Sequence, residues 1–143
     1  MAERRDPYTG YNFRVEIDGI TRAGFKSCSG LDTSQNAGTY REGTDRGLTM
    51  RKIPGLVTYA DVPLSRGITS DSELWEWRKR AATGRVDRRN MSIVLMDDTG
   101  KDVIRWNLRN CWPTKWTGPS MDATSDEVAI ETLEITHEGL EVD

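Results

Sequence analysis

Of the side chains that usually carry nucleophilic or metal chemistry, this chain of 143 residues has few: one histidine, His137, and two cysteines, Cys28 and Cys111. A Ser-His-Asp or Cys-His system needs an imidazole beside an activated nucleophile, and His137 instead stands among acids near the C-terminus. The common zinc sites draw on four thiols, two thiols with two imidazoles, or three imidazoles, and one chain of this composition assembles none of them. Two cysteines also cannot staple a disulfide-rich scaffold, so both are expected as reduced, small core residues. There is no G-x-G-x-x-G, no P-loop and no G-x-S-x-G. A carboxylate-only hydrolase is the one chemistry the 23 acids leave open, and their spacing marks no pair. No catalytic residue, cofactor-binding residue or metal ligand is assigned, no cofactor is expected, and the chain reads as non-enzymatic.

Charge and aromatic residues say more. The net charge is −3, from 20 bases and 23 acids. Every base lies at or before Lys115, so residues 1–121 carry +5 and residues 122–143 carry −8. Such a split supplies two complementary patches for contact between copies, or simply a solvated acidic end. The segment 78–89 holds Arg78, Lys79, Arg80, Arg85, Arg88 and Arg89 against the single acid Asp87. It reads as a solvated helix end or a protein contact. Nucleic acid is not expected, because the chain is acidic overall and offers no aromatic platform beside the bases. Among five tryptophans, Trp77 and Trp106 are assigned to the core and Trp75 to an interface, while Trp112 and Trp116 suit a sugar platform as a rival reading.

These residues need elements to hold them. Phe13, Val15 and Ile17 alternate with polar neighbours, which predicts a half-buried strand ending at the Asp18-Gly19 turn. Residues 20–31 are expected to return as its hairpin partner. Residues 32–56 have four glycines and only the strand-like pieces "TYRE" and "LTMRKI". They predict a long excursion, an extended hairpin that leaves the body and orders on a partner. Residues 56–68 predict another strand, with Pro63 away from a fully paired central position. One helix comes next, with Ser70 as N-cap, Glu73 completing a capping box, Gly84 just past the C-terminus, and Leu74, Trp77 and Ala81 as the buried stripe. Residues 91–96 and 103–111 predict a hairpin around Asp97–Lys101, and 113–120 a turn-rich link. The last strand, 127–139, changes alternation between Ile130 and Leu133, which predicts a bulge near Thr132 or burial of both faces. The tally is six to eight strands with one helix, hence a mainly β fold.

The apolar content of 36% is thin for a globular chain, and no apolar run reaches the ~18–20 residues of a membrane span. The N-terminus "MAERRDPYTG" lacks the apolar segment of a signal peptide, so synthesis in the bacterial cytoplasm without a leader is expected, with no membrane insertion by the monomer.

Eight blocks together resemble a known family: "DPYTGYNFRVEIDGI" (6–20), "AGFKSCSGL" (23–31), "YREG" (40–43), "RKIPGL" (51–56), "SRGITSDSELWEWRK" (65–79), "RRNMSIVLMDDTG" (88–100), "RWNLRNCWPTKWTGP" (105–119) and "DEVAIETLEITHEGL" (126–140). The chain resembles the inner tube proteins of contractile injection systems, which are similar to contractile phage tail tube proteins. The resemblance implies a single tail-tube domain over 1–143 with an N-terminal arm at 1–10. It implies a small β-barrel or sandwich with one flanking helix, whose strands join a ring-wide barrel in a hexamer. Rings would stack into a rigid channel that sheath contraction drives through a target envelope. The implied partners are further copies of the chain, a sheath protein, baseplate or tube-initiator and terminator proteins, and effector cargo in the lumen. The particle would be cytoplasmic, membrane-attached or released. The 32–56 excursion would be the extended inter-ring loop. Loop position and charge assign Tyr40, Arg41, Glu42, Arg51, Lys52 and Leu56 to ring stacking, and Trp75, Arg78, Arg85, Arg88, Glu131 and Glu134 to lateral or sheath contacts. A tube-initiating paralogue at the baseplate and a monomeric β-sandwich binding module are the alternatives.

Overall fold

The computed structural model describes residue 4, residues 6–18 and residues 24–143. The elements are β1 (Phe13–Ile17), β2 (Ser27–Cys28), β3 (Thr33–Tyr40), β4 (Arg51–Tyr59), β5 (Val62–Gly67), α1 (Glu73–Ala82), β6 (Arg89–Met96), β7 (Asp102–Thr117), β8 (Ile130–Thr136) and β9 (Gly139–Val142). The fold is mainly β, as the alternation predicts. Seven strands make one antiparallel sheet in the order β1-β6-β7-β8-β5-β2, with β9 also on β7, and β3 and β4 pair separately. The sheet stays open rather than closing into a barrel within the chain.

The 16-residue β7 organises this sheet. Its first part pairs with β6 on one edge, and along its other edge β9 and then β8 lie end to end. Asn110 interrupts it at φ 53°, in the left-handed region that asparagine tolerates better than most residues. The ladder to β6 shifts register there, and the one to β8 shifts between Pro113 and Lys115. These irregularities turn the strand, so the β1-β6-β7-β9 half and the β7-β8-β5-β2 half share one core. That core joins Val15, Ile17, Met91, Ile93, Leu108 and Cys111 from the first half to Val62, Leu64, Leu133 and Ile135 from the second, with Leu74 and Trp77 of α1 packed in.

Several sequence expectations change. Residues 19–23, including the second residue of the Asp18-Gly19 turn and the start of the expected return strand, lie outside the described residues. The next element is only the short β2, and it pairs with β5, while β1 pairs with β6. The 56–68 segment belongs to two strands with a break at Ala60-Asp61. The 113–120 link is strand as far as Thr117: the ladder shift lets Pro113 and its successors continue β7. No bulge lies at Thr132, because β5 and β8 pair without a shift over their whole length. Instead β8 begins at Ile130, so exposed Val128 is not part of its alternation.

The helix begins two residues later than a Ser70 cap implies. Ser72 is the N-cap position without a side-chain cap bond, and the Asp71 carboxylate accepts from the Glu73 N–H at 3.0 Å. Leu74 and Trp77 are buried, whereas Ala81 is only half-buried. The C-terminus closes as expected at Gly84, with φ +87°, and the Gly84 and Arg85 N–H groups donate to Ala81 and Arg80 carbonyls at 3.3 and 3.0 Å.

Candidate assembly surfaces

The four-stranded half β1-β6-β7-β9 has two unlike faces. Rows across the strands place Val15, Ile93, Trp106 and Val142 together, then Ile17, Met91, Leu108 and Leu140, all on the core side. The opposite rows are Arg14, Val94 and Arg105, then Glu16, Ser92, Asn107 and Glu141. Period-two alternation on four paired strands therefore makes one apolar and one polar face. Val94 is the exception in type, and it is fully buried between Arg14 and Arg105 in the register. The stems of long basic side chains cover such a residue while their charged heads stay in water.

The polar face carries a charge ladder. Arg14 donates to both Asp102 carboxylate oxygens at 3.1 and 3.0 Å and to Glu16 at 3.0 Å. Arg105 donates to the other Glu16 oxygen at 2.7 Å. The hydrogen bond from Arg14 holds Asp102 below the usual carboxylate range, and that from Arg105 does the same for Glu16. The bond to Asp102 in turn raises Arg14, and the bond to Glu16 raises Arg105. Ser92 and Asn107 extend the network with a bond of 2.7 Å, and Asn107 donates to Asp143 at 3.1 Å. Sequence reasoning missed this ladder, although oppositely charged residues two apart in a strand, Arg14 and Glu16, were the signal for it. Among the described residues, the outer edges of β1 and β9 have no strand partner.

The β3–β4 hairpin is the second surface. Every residue of β3 is exposed, and every residue of β4 except the half-buried Tyr59. Leu56 is 77% and Leu48 91% exposed, and Tyr40, Met50, Ile53 and Val57 are exposed as well. The excursion is thus an ordered hairpin with no core of its own. Four of the six residues assigned to ring stacking meet near its tip. Tyr40 donates to Glu42 at 3.1 Å, Arg51 pairs with Asp45 at 2.7 Å and lies over the Tyr40 ring, and Arg41 donates to the Asp45 and Gly47 carbonyls. Asp45 was not singled out from the sequence, yet it is the centre of this knot. Lys52 stands opposite Thr39 in the ladder and Leu56 lies at the bulge between Pro54 and Val57, both apart from the knot.

The residues assigned to lateral or sheath contacts divide. Trp75 is exposed on α1 and packs its ring 4.9 Å from that of Trp116. Arg85 and Arg88 are exposed and Arg78 half-buried, and none of the three has a salt bridge among those between described residues. Asp87, the one acid of this cluster, is taken by Arg80 and Arg89. Glu134 is half-buried on β8. Glu131 is a correction: it is buried and accepts from Arg66 Nε at 2.5 Å and from Trp116 Nε1 at 3.1 Å. Arg66, equally buried, also donates to the Asp71 carbonyl at 2.9 Å, tying the start of α1 to β5. Glu131 is therefore an internal counter-ion and presents no charge to another molecule. Trp116, offered as half of a sugar platform, is engaged in the same cluster, while Trp112 sits apart at the Thr136 end of the β7–β8 ladder.

Burial pushes the Cys28 thiol up to about 11 and the Cys111 thiol up to about 12, which disfavours the thiolate at both; Cys111 lies in the core, whereas Cys28 is half-buried against it. Among the described residues no cluster of three or more His, Cys, Asp or Glu suits a metal ion, and no helix is long and apolar enough to cross a membrane.

This architecture has known counterparts. The model of the T4-like virus tail tube protein gp19 family matches residues 9–141. A chain of the extracellular contractile injection system PVC sheath–tube complex in the extended state is 29% identical, with a TM-score of 0.86 over 96% of this chain and 91% of that one. A chain of the anti-feeding prophage cap, described as the AFP tube-terminating cap, is 28% identical, with a TM-score of 0.89 over 100% of this chain and 95% of that one. Hcp1 from Flavobacterium johnsoniae, at 16% identity and a TM-score of 0.57 over 92% of this chain and 94% of that one, shares the fold. No curated protein matches the chain. With the family model spanning nearly the whole chain and both halves of the sheet, this protein belongs to the T4-like virus tail tube protein gp19 family and is a structural tube subunit.

Proposed function

We propose that copies of this chain close into hexameric rings, that the rings stack into a channel inside a contractile sheath, and that the chain performs no catalysis. The observation that carries this reading is the β3–β4 hairpin, two strands of eight and nine residues with almost no buried side chain. A two-stranded hairpin in water is marginal by itself, so its apolar residues fit a surface supplied by another copy. Tyr40, Arg41, Glu42, Arg51, Lys52 and Leu56 are the proposed contacts to the next ring. The unpaired edges of β1 and β9 supply the two different surfaces that a head-to-tail ring requires. Pairing them between copies turns the polar face, with its Arg14–Asp102 and Glu16–Arg105 ladder, toward an aqueous lumen that passes hydrated cargo. Trp75, Arg78, Arg85, Arg88 and Glu134 remain proposed lateral or sheath contacts, and such a tube is part of a phage-tail-like particle.

Negative-stain microscopy with light scattering tests this on the purified chain. Rings and tubes are expected for the intact protein, and a monomer smaller than the 16.2 kDa of the intact chain when residues 34–57 are replaced by a short Gly-Ser link. An intact chain that stays monomeric at high concentration sinks the reading and favours the binding-module alternative. Arg41→Glu with Lys52→Glu is expected to leave rings that no longer stack, and full-length tubes from that variant remove the stacking assignment. The similarity to the tube-terminating cap supports a second reading, a ring at one end of a tube rather than its repeating unit. Single rings that never stack, from the unmodified chain, select it.

A further inference from the structure

The one histidine is buried, 8% exposed, and lies just past β8. Both of its ring nitrogens face backbone carbonyl oxygens: Nδ1 is 3.1 Å from the Gly139 oxygen and Nε2 is 3.1 Å from the Ala60 oxygen. A neutral imidazole has one N–H, so it satisfies one of these acceptors and points a lone pair at the other. An imidazolium donates to both. The two carbonyls belong to different parts of the fold. Gly139 opens β9, where it pairs with Arg109. Ala60 is the first residue after β4, and its N–H donates to the Asp32 carbonyl at 3.2 Å, so it closes the base of the exposed hairpin.

We propose that His137 is a proton-operated latch that joins the root of the β3–β4 hairpin to the β8–β9 joint. With the ring protonated, both carbonyls are held and the hairpin leaves the body at a fixed angle. With the ring neutral, one tie is lost and a buried carbonyl is left facing a lone pair, which favours a small displacement of the root. The doubly tied state is the one that holds the extra proton, so acid favours it and loss of that proton releases one tie. The neighbouring ionisable groups do not replace it. The Tyr59 ring of β4 packs 5.4 Å from the imidazole, and no hydrogen bond joins the two. Asp61 follows Ala60 in the link to β5. Arg109 of β7 lies with its guanidinium against Gly139. Glu138, in the β8–β9 link, accepts from Asn110 Nδ2 at 3.0 Å. None of these carboxylates is a hydrogen-bond partner of the ring. The latch concerns the hairpin root within one chain, so it stands whether or not the hairpin reaches a second ring.

A single histidine makes the test direct. In the full chain, labelled with 15N at its histidine and studied by solution or magic-angle-spinning NMR, two protonated ring nitrogens are expected at about pH 5.5 and one at about pH 8. Amide exchange at residues 58–61, corrected for its intrinsic pH dependence, is expected to quicken about tenfold over the same change, the size of effect expected from one lost buried hydrogen bond. His137→Gln, which keeps a donor but does not titrate there, is expected to abolish the change. A ring that keeps a single proton at about pH 5.5, or a root whose exchange ignores the ring's charge, overturns the latch. The wild-type ring spectrum decides even if the variant does not fold.

Discussion

The body of the molecule and its hairpin are built from the same element, paired antiparallel strands, with opposite results. In β8 every second residue is buried, in the pattern of a strand with one face on a core. In β3, eight consecutive residues are exposed. Strand pairing is present in both places, on both edges of β8 and on one edge each of β3 and β4, so pairing alone does not account for the contrast in exposure. About 25 cal/mol is gained per Å² of apolar surface removed from water, and the hairpin removes almost none within the chain. The body has a core of its own, and the hairpin has none within the chain. The thin 36% apolar composition is consistent with this, because part of the apolar surface is not meant for the monomer's core.

That contrast is open to perturbation, beginning with the core. Trp77→Ala removes a fully buried ring whose Nε1 donates to the Asp87 carbonyl at 2.7 Å. A loss of roughly 3–5 kcal/mol is expected in denaturant unfolding of the unassembled chain. A much smaller loss would mean the body does not hold itself together.

Glu131→Ala removes the closer of the two carboxylates beside the buried Arg66 guanidinium and leaves only Asp71, at 3.7 Å, at an expected cost of roughly 3–5 kcal/mol. The double replacement Arg66→Met with Glu131→Leu is expected to regain most of it. Failure to regain would show that the hydrogen bonds to Trp116 and Asp71 hold the helix in place, beyond neutralising charge.

Gly30→Ala probes the seam between the two regions. Gly30 has φ +78°, and an added Cβ would collide with the Asp61 carbonyl, just beyond the hairpin's exit. A cost of roughly 1–3 kcal/mol is expected from the thermal midpoint of the unassembled chain.

The charge ladder gives a smaller, pH-dependent effect. Glu16 and Asp102 are held below their ordinary range, so they contribute stability above that range and lose it as pH falls through their folded-state values. Melting temperature is expected to drop on acidification below about pH 4, and Arg14→Gln with Arg105→Gln is expected to flatten that drop. Because these groups are largely exposed, high salt is expected to weaken the effect.

The hairpin change has the least effect on the chain and the most on the assembly. Leu56→Asp is expected to move unfolding of the separated chain by no more than about 0.5 kcal/mol, since Leu56 is 77% exposed. Microscopy of the same preparation is expected to show tubes lost. Unfolding that shifts with assembly intact would reverse the assignment of the two regions.

While β6 was readable as a nearly continuous apolar run, alternation made β1 and the first part of β7 readable, because one face of each meets the core and the other meets water. The helix was readable for the same reason, and Gly84 marked its end by the backbone conformation it accepts. The hairpin was legible only as an excursion: with nothing buried, its sequence is under no two-residue rule, so the strands start and stop away from "TYRE" and "LTMRKI". Among the proposed contact residues, loop position found the Tyr40–Arg51 region, but Asp45 gives no sign in sequence of being its centre. Glu131 was misread, because in a strand whose neighbours are acidic and polar a buried carboxylate looks like any exposed one.

The sequence alone determined the class of this protein. Its chemistry-poor inventory, the mainly β patterning with one helix, and the order of its blocks come from residue types and local spacing, which are written along the chain. Only the tertiary structure decided which charges are internal and which are offered outward. Arg66 and Glu131 are 65 residues apart and meet because β5 and β8 pair in one register. Arg14 reaches Asp102, and His137 reaches Ala60, for the same kind of reason. Strand pairing joins residues distant in sequence, and a shift of one position would turn every side chain to the other face. Local pattern fixes what a strand buries, and only the register fixes what it buries it against.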